Sequence, residues 1–252
     1  MATKPLKLRL AHLYPRLMNI YGDRGNILCL LHRCRARQIA LEVDELELGD
    51  KLNAKGYDLV FMGGAQDREQ QRVAGDLARL KAAPLKEAAE RGVVVLAVCG
   101  GYQLMGRFYR SGDGSELPGA GILNLYTVHP GPDAERFIGN VVARWNGTTL
   151  AGFENHGGRT YLGEGVKPLA EVVAGYGNNG EDGMEGAVYG NVYGTYLHGS
   201  LLPKNPKFAD HLIVTALRRR YEDAPFPEID DRVEQTAHAE AVRLATGRAI
   251  IE

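Results

Sequence analysis

The sequence predicts an α/β fold, a mostly parallel sheet with helices on both faces, and three observations carry that expectation. Two short apolar runs, Asp58-Leu59-Val60-Phe61-Met62 and Val93 to Val98, are too brief for helices and lack a polar face, as strands buried on both sides do. Such runs alternate with helix-period segments over the first 110 residues, the pattern of right-handed β-α-β crossovers. Glycine makes up 32 of 252 residues, nearly twice the ~7% average, and follows no repeat period, so it punctuates turns.

Taken in order, Leu6, Leu8 and Leu10 alternate with Lys7 and Arg9 as a strand, and Asn26 to Arg37 carries Ile27, Leu30, Leu31 and Cys34 at helical spacing, with Asn26 as its cap. Val43, Leu46 and Leu48 read as a strand. The run ending at Met62 enters a sharp turn at Gly63-Gly64, followed by a helix over about 66–80 with Asp67 in a capping role. Pro84 opens a second helix that stops at Gly92. Val93 to Val98 is the central strand, and a helix is expected over 103–109. Loops and shorter strands fill 111–160, including Phe137 to Trp145. Val188 to Leu197 reads as one strand, and Asn205 to Tyr221 as a helix burying Phe208, Leu212 and Ala216. Pro225 and Pro227 mark a linker before a final helix with Val233, Ala237, Ala241 and Leu244 as its apolar stripe. The expected division is a domain over 1–221 and a linker with a helical appendage over 222–252.

Composition excludes several classes. A net charge of −1, with no basic run longer than Arg218-Arg219-Arg220, argues against a nucleic-acid clamp or polybasic anchor. No stretch approaches the ~18 apolar residues of a membrane span, and Met1 to Lys7 lacks the apolar core of a signal peptide, so a cytoplasmic location is expected. Three cysteines at 29, 34 and 99 make neither a disulfide framework nor a CxxC metal site, and no Walker-type phosphate loop or metal-ligand spacing occurs.

In open α/β sheets, sites form at the carboxyl ends of strands. Cys99 stands there, in Ala97-Val98-Cys99-Gly100-Gly101-Tyr102-Gln103, between strand and helix with glycines where a strained turn needs them. That is the logic of a nucleophile elbow, in which the turn exposes the sulfur and the helix N-terminus favours thiolate. Cys29 and Cys34, on a helix face, read as packing residues. Among seven histidines, His32 and His211 lie within helices, whereas His198 ends the strand-like run Gly194-Thr195-Tyr196-Leu197 and shares the strand-end location of Cys99. For an oxyanion, backbone N–H groups near Gly64 and Ala65 combine with that of Gly100, although most glycine turns serve only chain reversal.

Four ordered blocks, Gly63-Gly64-Ala65-Gln66-Asp67-Arg68-Glu69-Gln70, Val98 to Gln103, Phe153-Glu154-Asn155-His156-Gly157-Gly158-Arg159-Thr160 and Gly194 to Gly199, together resemble class I glutamine amidotransferases of the cobyric-acid-synthase-like branch, from about Leu8 to Tyr221. Phe153 to Thr160 and Gly175-Tyr176-Gly177-Asn178-Asn179 bring the likeness closest to glutaminase subunits of bacterial lipid II isoglutaminyl synthase. The resemblance implies a flavodoxin-like, class I amidotransferase sheet. It also implies that Cys99 attacks the glutamine side-chain amide, that His198 carries the proton, and that backbone amides near Gly64, Ala65 and Gly100 hold the oxyanion. Arg136 matches the position that contacts glutamine, where a guanidinium offers a carboxylate two parallel donors; on its own it reads equally as an exposed strand-edge charge. The implied partner is a MurT-type, Mur-ligase-like subunit that holds ATP and Mg and amidates D-glutamate of the lipid II stem peptide, leaving this chain without a cofactor or metal.

Many class I amidotransferases carry His-x-Glu, but here the string is His198-Gly199-Ser200. His238-Ala239-Glu240 has the spacing yet lies on a predicted helix, where i and i+2 do not face each other. A third catalytic group is therefore absent, elsewhere in the chain, or supplied by a partner. The alternatives are a detached glutaminase for cobyrinate-type amidation, a cysteine hydrolase of another amide, and a non-catalytic regulatory module. Retention of both Cys99 and His198 speaks against the last.

Overall fold

The computed structural model describes residues 5–247; the ends of both the polar N-terminal segment and the C-terminal appendage lie outside them. The first half supplies four strands of a six-stranded sheet, β1 (Lys7–Leu13), β2 (Ala40–Leu46), β3 (Leu59–Met62) and β4 (Val94–Val98). Between them run α1 (Arg24–Ala36), α2 (Asp67–Asp76), α3 (Ala82–Glu90) and, after β4, α4 (Gly100–Met105). Then come β5 (Phe108–Arg110), β6 (Glu116–Pro118), β7 (Leu125–Val128), β8 (Phe137–Trp145), β9 (Thr148–His156), β10 (Arg159–Leu162), β11 (Ala170–Ala174) and β12 (Met184–Glu185). The chain returns through β13 (Ala187–Tyr189) and β14 (Val192–Thr195) and finishes with α5 (Leu201–Lys204), α6 (Pro206–Arg220) and α7 (Arg232–Thr246).

The main sheet has the order β13-β14-β4-β3-β1-β2, parallel except for β13. From β1 the chain steps outward to β2 and later, through β3, to β4 on the other side. Right-handed crossovers therefore place α1 and the α2–α3 run on opposite faces. Every residue of β3 and β4 is buried, as their unbroken apolar runs require. The strand order reverses at β1 and β3, and the loops leaving their carboxyl ends bound a crevice. Two smaller sheets, β10-β7-β5-β6 and the antiparallel β12-β11-β8-β9, lie beyond it.

Several sequence expectations change. In the region 111–160 the expected strand Phe137 to Trp145 is β8, and it pairs along its whole length with a second nine-residue strand, β9, that the sequence reading did not single out. The two helices expected between Gly64 and Gly92 run on through a π turn (Leu77–Lys81), in which the Ala82 N–H reaches Leu77 O five residues back. Pro84 thus sits in a first turn without breaking the run. The helix expected over 103–109 begins at Gly100 and ends at Met105, and Tyr109 belongs to β5. Val188 to Leu197 is a hairpin, turned at Gly190 (φ +55°). On α7, Val233 and Leu244 face solvent and Val242 is the buried residue, packed with Ala241 and Ala245 against Val142 and Ala151. Polar contacts set that rotation: His238 bonds Lys204 O and Thr149 Oγ1 through its two ring nitrogens, while Glu240 pairs with Arg243. Asn26 does not cap α1; buried inside it, it accepts the Leu202 N–H and ties α1 to α5.

An ionic cluster joins α1, α6 and the proline segment. The Arg33 guanidinium, its side chain 2% exposed, donates to both carboxylate oxygens of Asp210 (2.6 and 2.7 Å) and of Asp231 (2.7 and 2.9 Å). Arg37 adds a bond to Asp210 (2.7 Å) and one to Pro227 O (2.8 Å), and lies over the Phe226 ring. Removing one member of a buried ion cluster costs about 3 kcal/mol or more. Arg33→Met is thus expected to lower the thermal unfolding midpoint by roughly 6 °C or more, read by calorimetry.

Candidate active site

Cys99 sits directly after β4 with φ +49° and ψ −108°, a strained backbone for a residue with a Cβ. The neighbours hold it there: its N–H donates to Thr195 O (2.8 Å), and its carbonyl accepts the Gln103 N–H (2.9 Å). Glycine lets α4 come this close to the turn after β3. A Cβ on Gly101 would lie 2.7 Å from the carbonyl oxygens of Met62 and Gly63, and one on Gly100 would lie 3.0 Å from Ala65 N.

His198 arrives from β14, which pairs with β4, and its backbone bonds Phe153 of β9 in both directions (2.7 and 3.3 Å). Beneath this segment the buried Glu185 carboxylate accepts from the Thr195 hydroxyl and the Tyr196 N–H (2.7 Å), and burial pushes its pKa up to about 8. Gly64 lies between Cys99 and His198: a Cβ there would sit 3.0 Å from His198 Cε1 and 3.1 Å from Cys99 Cβ. The structure therefore brings together the two residues that strand-end position singles out. Both ring nitrogens of the fully buried His198 lack a hydrogen-bond partner among the described residues.

Burial dominates the electrostatics. It pushes the Cys99 thiol up to about 12, helped by the Asp23 carboxylate and opposed by the Gly100 N–H and Arg136. It pushes His198 down to about 3, with His156 adding to the effect. The pair at rest is a neutral thiol beside a neutral imidazole.

A cleft of about 450 Å³ opens over the thiol, lined by Tyr21, Ala65, Cys99, Gln103, Arg136 and Asn155 among others. Arg136 immediately precedes β8, and its Nε and Nη2 donate to Asn155 Oδ1 (3.1 and 3.0 Å). Asn155 in turn donates to the Tyr21 hydroxyl (2.6 Å), and the Tyr21 ring meets that of His198 edge-on at 5.1 Å. The three expected oxyanion donors separate. The Gly64 N–H is committed to Asp23 Oδ2 at 2.5 Å, because the loop after β1 places a carboxylate against it. The Ala65 N–H finds no acceptor among the described residues, and it lies beside Gly100. Asp67 does not cap α2, whose cap position is Gln66; it accepts the Tyr109 hydroxyl instead.

Tyr21, Asp23 and Asn155 are site residues that sequence reasoning missed. The dense turn chemistry of Tyr21-Gly22-Asp23-Arg24-Gly25-Asn26 was the available signal, but nothing local to it points to Gly64. The block Phe153 to Thr160 builds the cleft wall. Glu154 accepts the N–H groups of Tyr176 and Gly177 (2.7 and 3.0 Å), and His156 donates through Nδ1 to Gly158 O while stacking on Tyr196 at 3.5 Å. Among the described residues no His, Cys, Asp and Glu group is arranged to hold a metal, and no helix is long and apolar enough to cross a membrane.

A model of the CobB/CobQ-like glutamine amidotransferase domain matches residues 9–206. The chain is 41% identical over 234 residues to the lipid II isoglutaminyl synthase (glutamine-hydrolyzing) subunit GatD of Streptococcus pneumoniae, covering 92% of this chain and 89% of that one. It is 42% identical over 229 residues to the subunit of the same name from Staphylococcus aureus, covering 90% and 92%. A cobyric acid synthase of Pelotomaculum thermopropionicum is 38% identical over 156 residues, covering 55% of this chain and 29% of that protein. Among solved structures, PurLQS from Thermotoga maritima superposes with a TM-score of 0.56 at 19% identity, over 84% of this chain and 96% of that one, a likeness of fold.

With the thiol at about 12, the rate of Cys99 alkylation by iodoacetamide in the isolated chain is expected to rise about tenfold per pH unit from 7 to 9, following the thiolate fraction. A plateau below pH 8 would contradict this.

Proposed function

The chain belongs to the CobB/CobQ-like glutamine amidotransferases and is a glutamine-hydrolysing enzyme, and from that premise we propose that Cys99 and His198 hydrolyse glutamine through a thioester. His198 takes the thiol proton as the sulfur attacks the side-chain amide carbon. The carbonyl oxygen becomes an oxyanion held by the N–H groups of Ala65 and Gly100. His198 then returns the proton to the departing nitrogen, which leaves as ammonia while the C–N bond breaks and the γ-glutamyl thioester remains. The same imidazole deprotonates water, whose attack releases glutamate and restores the thiol. The observation that carries this reading is the Cys99–Gly64–His198 packing, in which one glycine is flanked by Cys99 Cβ and His198 Cε1 beside the cleft that Cys99 lines.

Arg136 binds the glutamine α-carboxylate. Its Nη1 is free of the Asn155 contacts, and a guanidinium matches a carboxylate with paired donors. A third group facing His198 comes from the partner. The unpartnered ring nitrogens support this, since burial alone disfavours the imidazolium that proton transfer creates, and an added carboxylate would stabilise it. This chain binds no cofactor or metal; the nucleotide and its Mg belong to the partner.

The curated relatives carrying the name lipid II isoglutaminyl synthase subunit support the destination of the ammonia. The partner is a MurT-type, Mur-ligase-like subunit that activates the α-carboxyl of D-glutamate in the lipid II stem peptide, which ammonia converts to D-isoglutamine during peptidoglycan synthesis. Ammonia in neutral water is mostly ammonium, so hydrolysis is useful only when coupled to such a ligase. The complex works in the cytoplasm.

Glutamate release from glutamine, measured with and without the ligase subunit, tests this. Cys99→Ala and His198→Ala are expected to fall to background, and Arg136→Ala to raise KM at least tenfold with a smaller change in kcat. The complex should outpace the isolated subunit; equal rates would count against a partner-supplied group, and a Cys99→Ala variant as fast as wild type would end the thioester reading. Gly64→Ala is expected to cost on the order of 100-fold in kcat, because its methyl would separate thiol and imidazole.

A further inference from the structure

Asp23 is fully buried, 41 positions from the glycine turn in sequence, and plays no part in the chemistry above. It occupies the cap position of α1 yet makes no cap bond; Asn19 Oδ1 accepts the Arg24 N–H in its place. Its carboxylate is turned to the turn after β3, where Oδ2 accepts the Gly64 N–H at 2.5 Å and packs against Gly63, while Oδ1 is buried without a partner among the described residues. The Ile20 N–H donates to Gly64 O at 3.1 Å, so one loop grips both polar groups of Gly64. Gly63 O is held in turn by the Gly101 N–H at 3.1 Å.

The consequence is geometric. In a trans peptide the carbonyl and the following N–H point in opposite directions. With Gly64 O drawn to Ile20, the Ala65 N–H of the same peptide must face away from that loop, toward Gly100 and the cleft. A carboxylate on the preceding N–H fixes the neighbouring peptide plane, and glycine, free to rotate, would otherwise allow either plane to flip.

We propose that Asp23 is a positioning residue that, as a hydrogen-bond acceptor, locks the Gly63-Gly64-Ala65 turn with the Ala65 N–H aimed at the developing oxyanion. This rests on the thioester reading of Cys99 and adds to it a group that touches neither substrate nor sulfur. The role asks for an acceptor oxygen and not a charge. Burial holds the Asp23 carboxyl up at about 7, near the neutral form that an asparagine imitates.

The test compares Asp23→Asn and Asp23→Ala in the full chain, alone or with the ligase subunit, whichever gives wild type its faster turnover. Asp23→Asn is expected within about threefold of wild-type kcat. Asp23→Ala is expected to lose roughly 10- to 100-fold in kcat, at or below the loss of an oxyanion donor, with KM within about twofold. A kcat for Asp23→Ala within threefold of wild type, an equal loss in Asp23→Asn, or a KM that rises in step would overturn the assignment. If Asp23→Ala fails to fold, Asp23→Asn decides: near-wild-type kcat upholds it, and a tenfold loss at unchanged KM refutes it. Retention of activity in Cys99→Ala would instead remove the parent reading.

Discussion

The site depends on how closely the turn after β3 can approach the elbow after β4. Parallel neighbours in a sheet deliver their carboxyl ends side by side, about 4.8 Å apart, which leaves no room for side chains between the two turns. Gly63 and Gly64 on one side and Gly100 and Gly101 on the other meet that constraint, and a Cβ at any of them would reach a backbone atom or the His198 ring at 3.0 Å or less. The strained φ of Cys99 follows from the same crowding, since the chain must leave a buried strand and enter α4 within one residue. Thiol, imidazole and backbone donors converge because these turns touch.

That closeness has an electrostatic cost, which sets the resting chemistry. Cys99 and His198 are buried too deeply for either to be charged alone, and the Asp23 carboxylate beside the thiol strengthens the effect. Burial thus leaves thiol and imidazole uncharged unless something stabilises the ion pair. The two ring nitrogens of His198, which have no hydrogen-bond partner among the described residues, are where a stabilising group would act.

Much of this was legible in the sequence. Cys99 and His198 stand out because each ends a strand and is followed by glycine, a signal contained within six residues. The main sheet was legible because strands buried on both faces have unbroken apolar text. The second layer was not: β9, Thr148 to His156, mixes polar wall residues with core residues, so its period is blurred. The rotation of α7 was hidden because two imidazole hydrogen bonds, not apolar area, choose its buried face. The Asp23 to Gly64 contact spans 41 residues and joins two turns, and no local pattern encodes a partner at that range. Helix capping misled for the same reason, since Asn26 and Asp67 have cap chemistry but are drawn to tertiary partners.

The most direct measurement of the central claim is covalent labelling with a glutamine analogue that carries a chloroketone in place of the side-chain amide, followed by peptide mass mapping. The account predicts one adduct, on Cys99, blocked by excess glutamine, with Cys29 and Cys34 untouched. An adduct on Cys29 or Cys34, or labelling of Cys99 that glutamine does not slow, would contradict it.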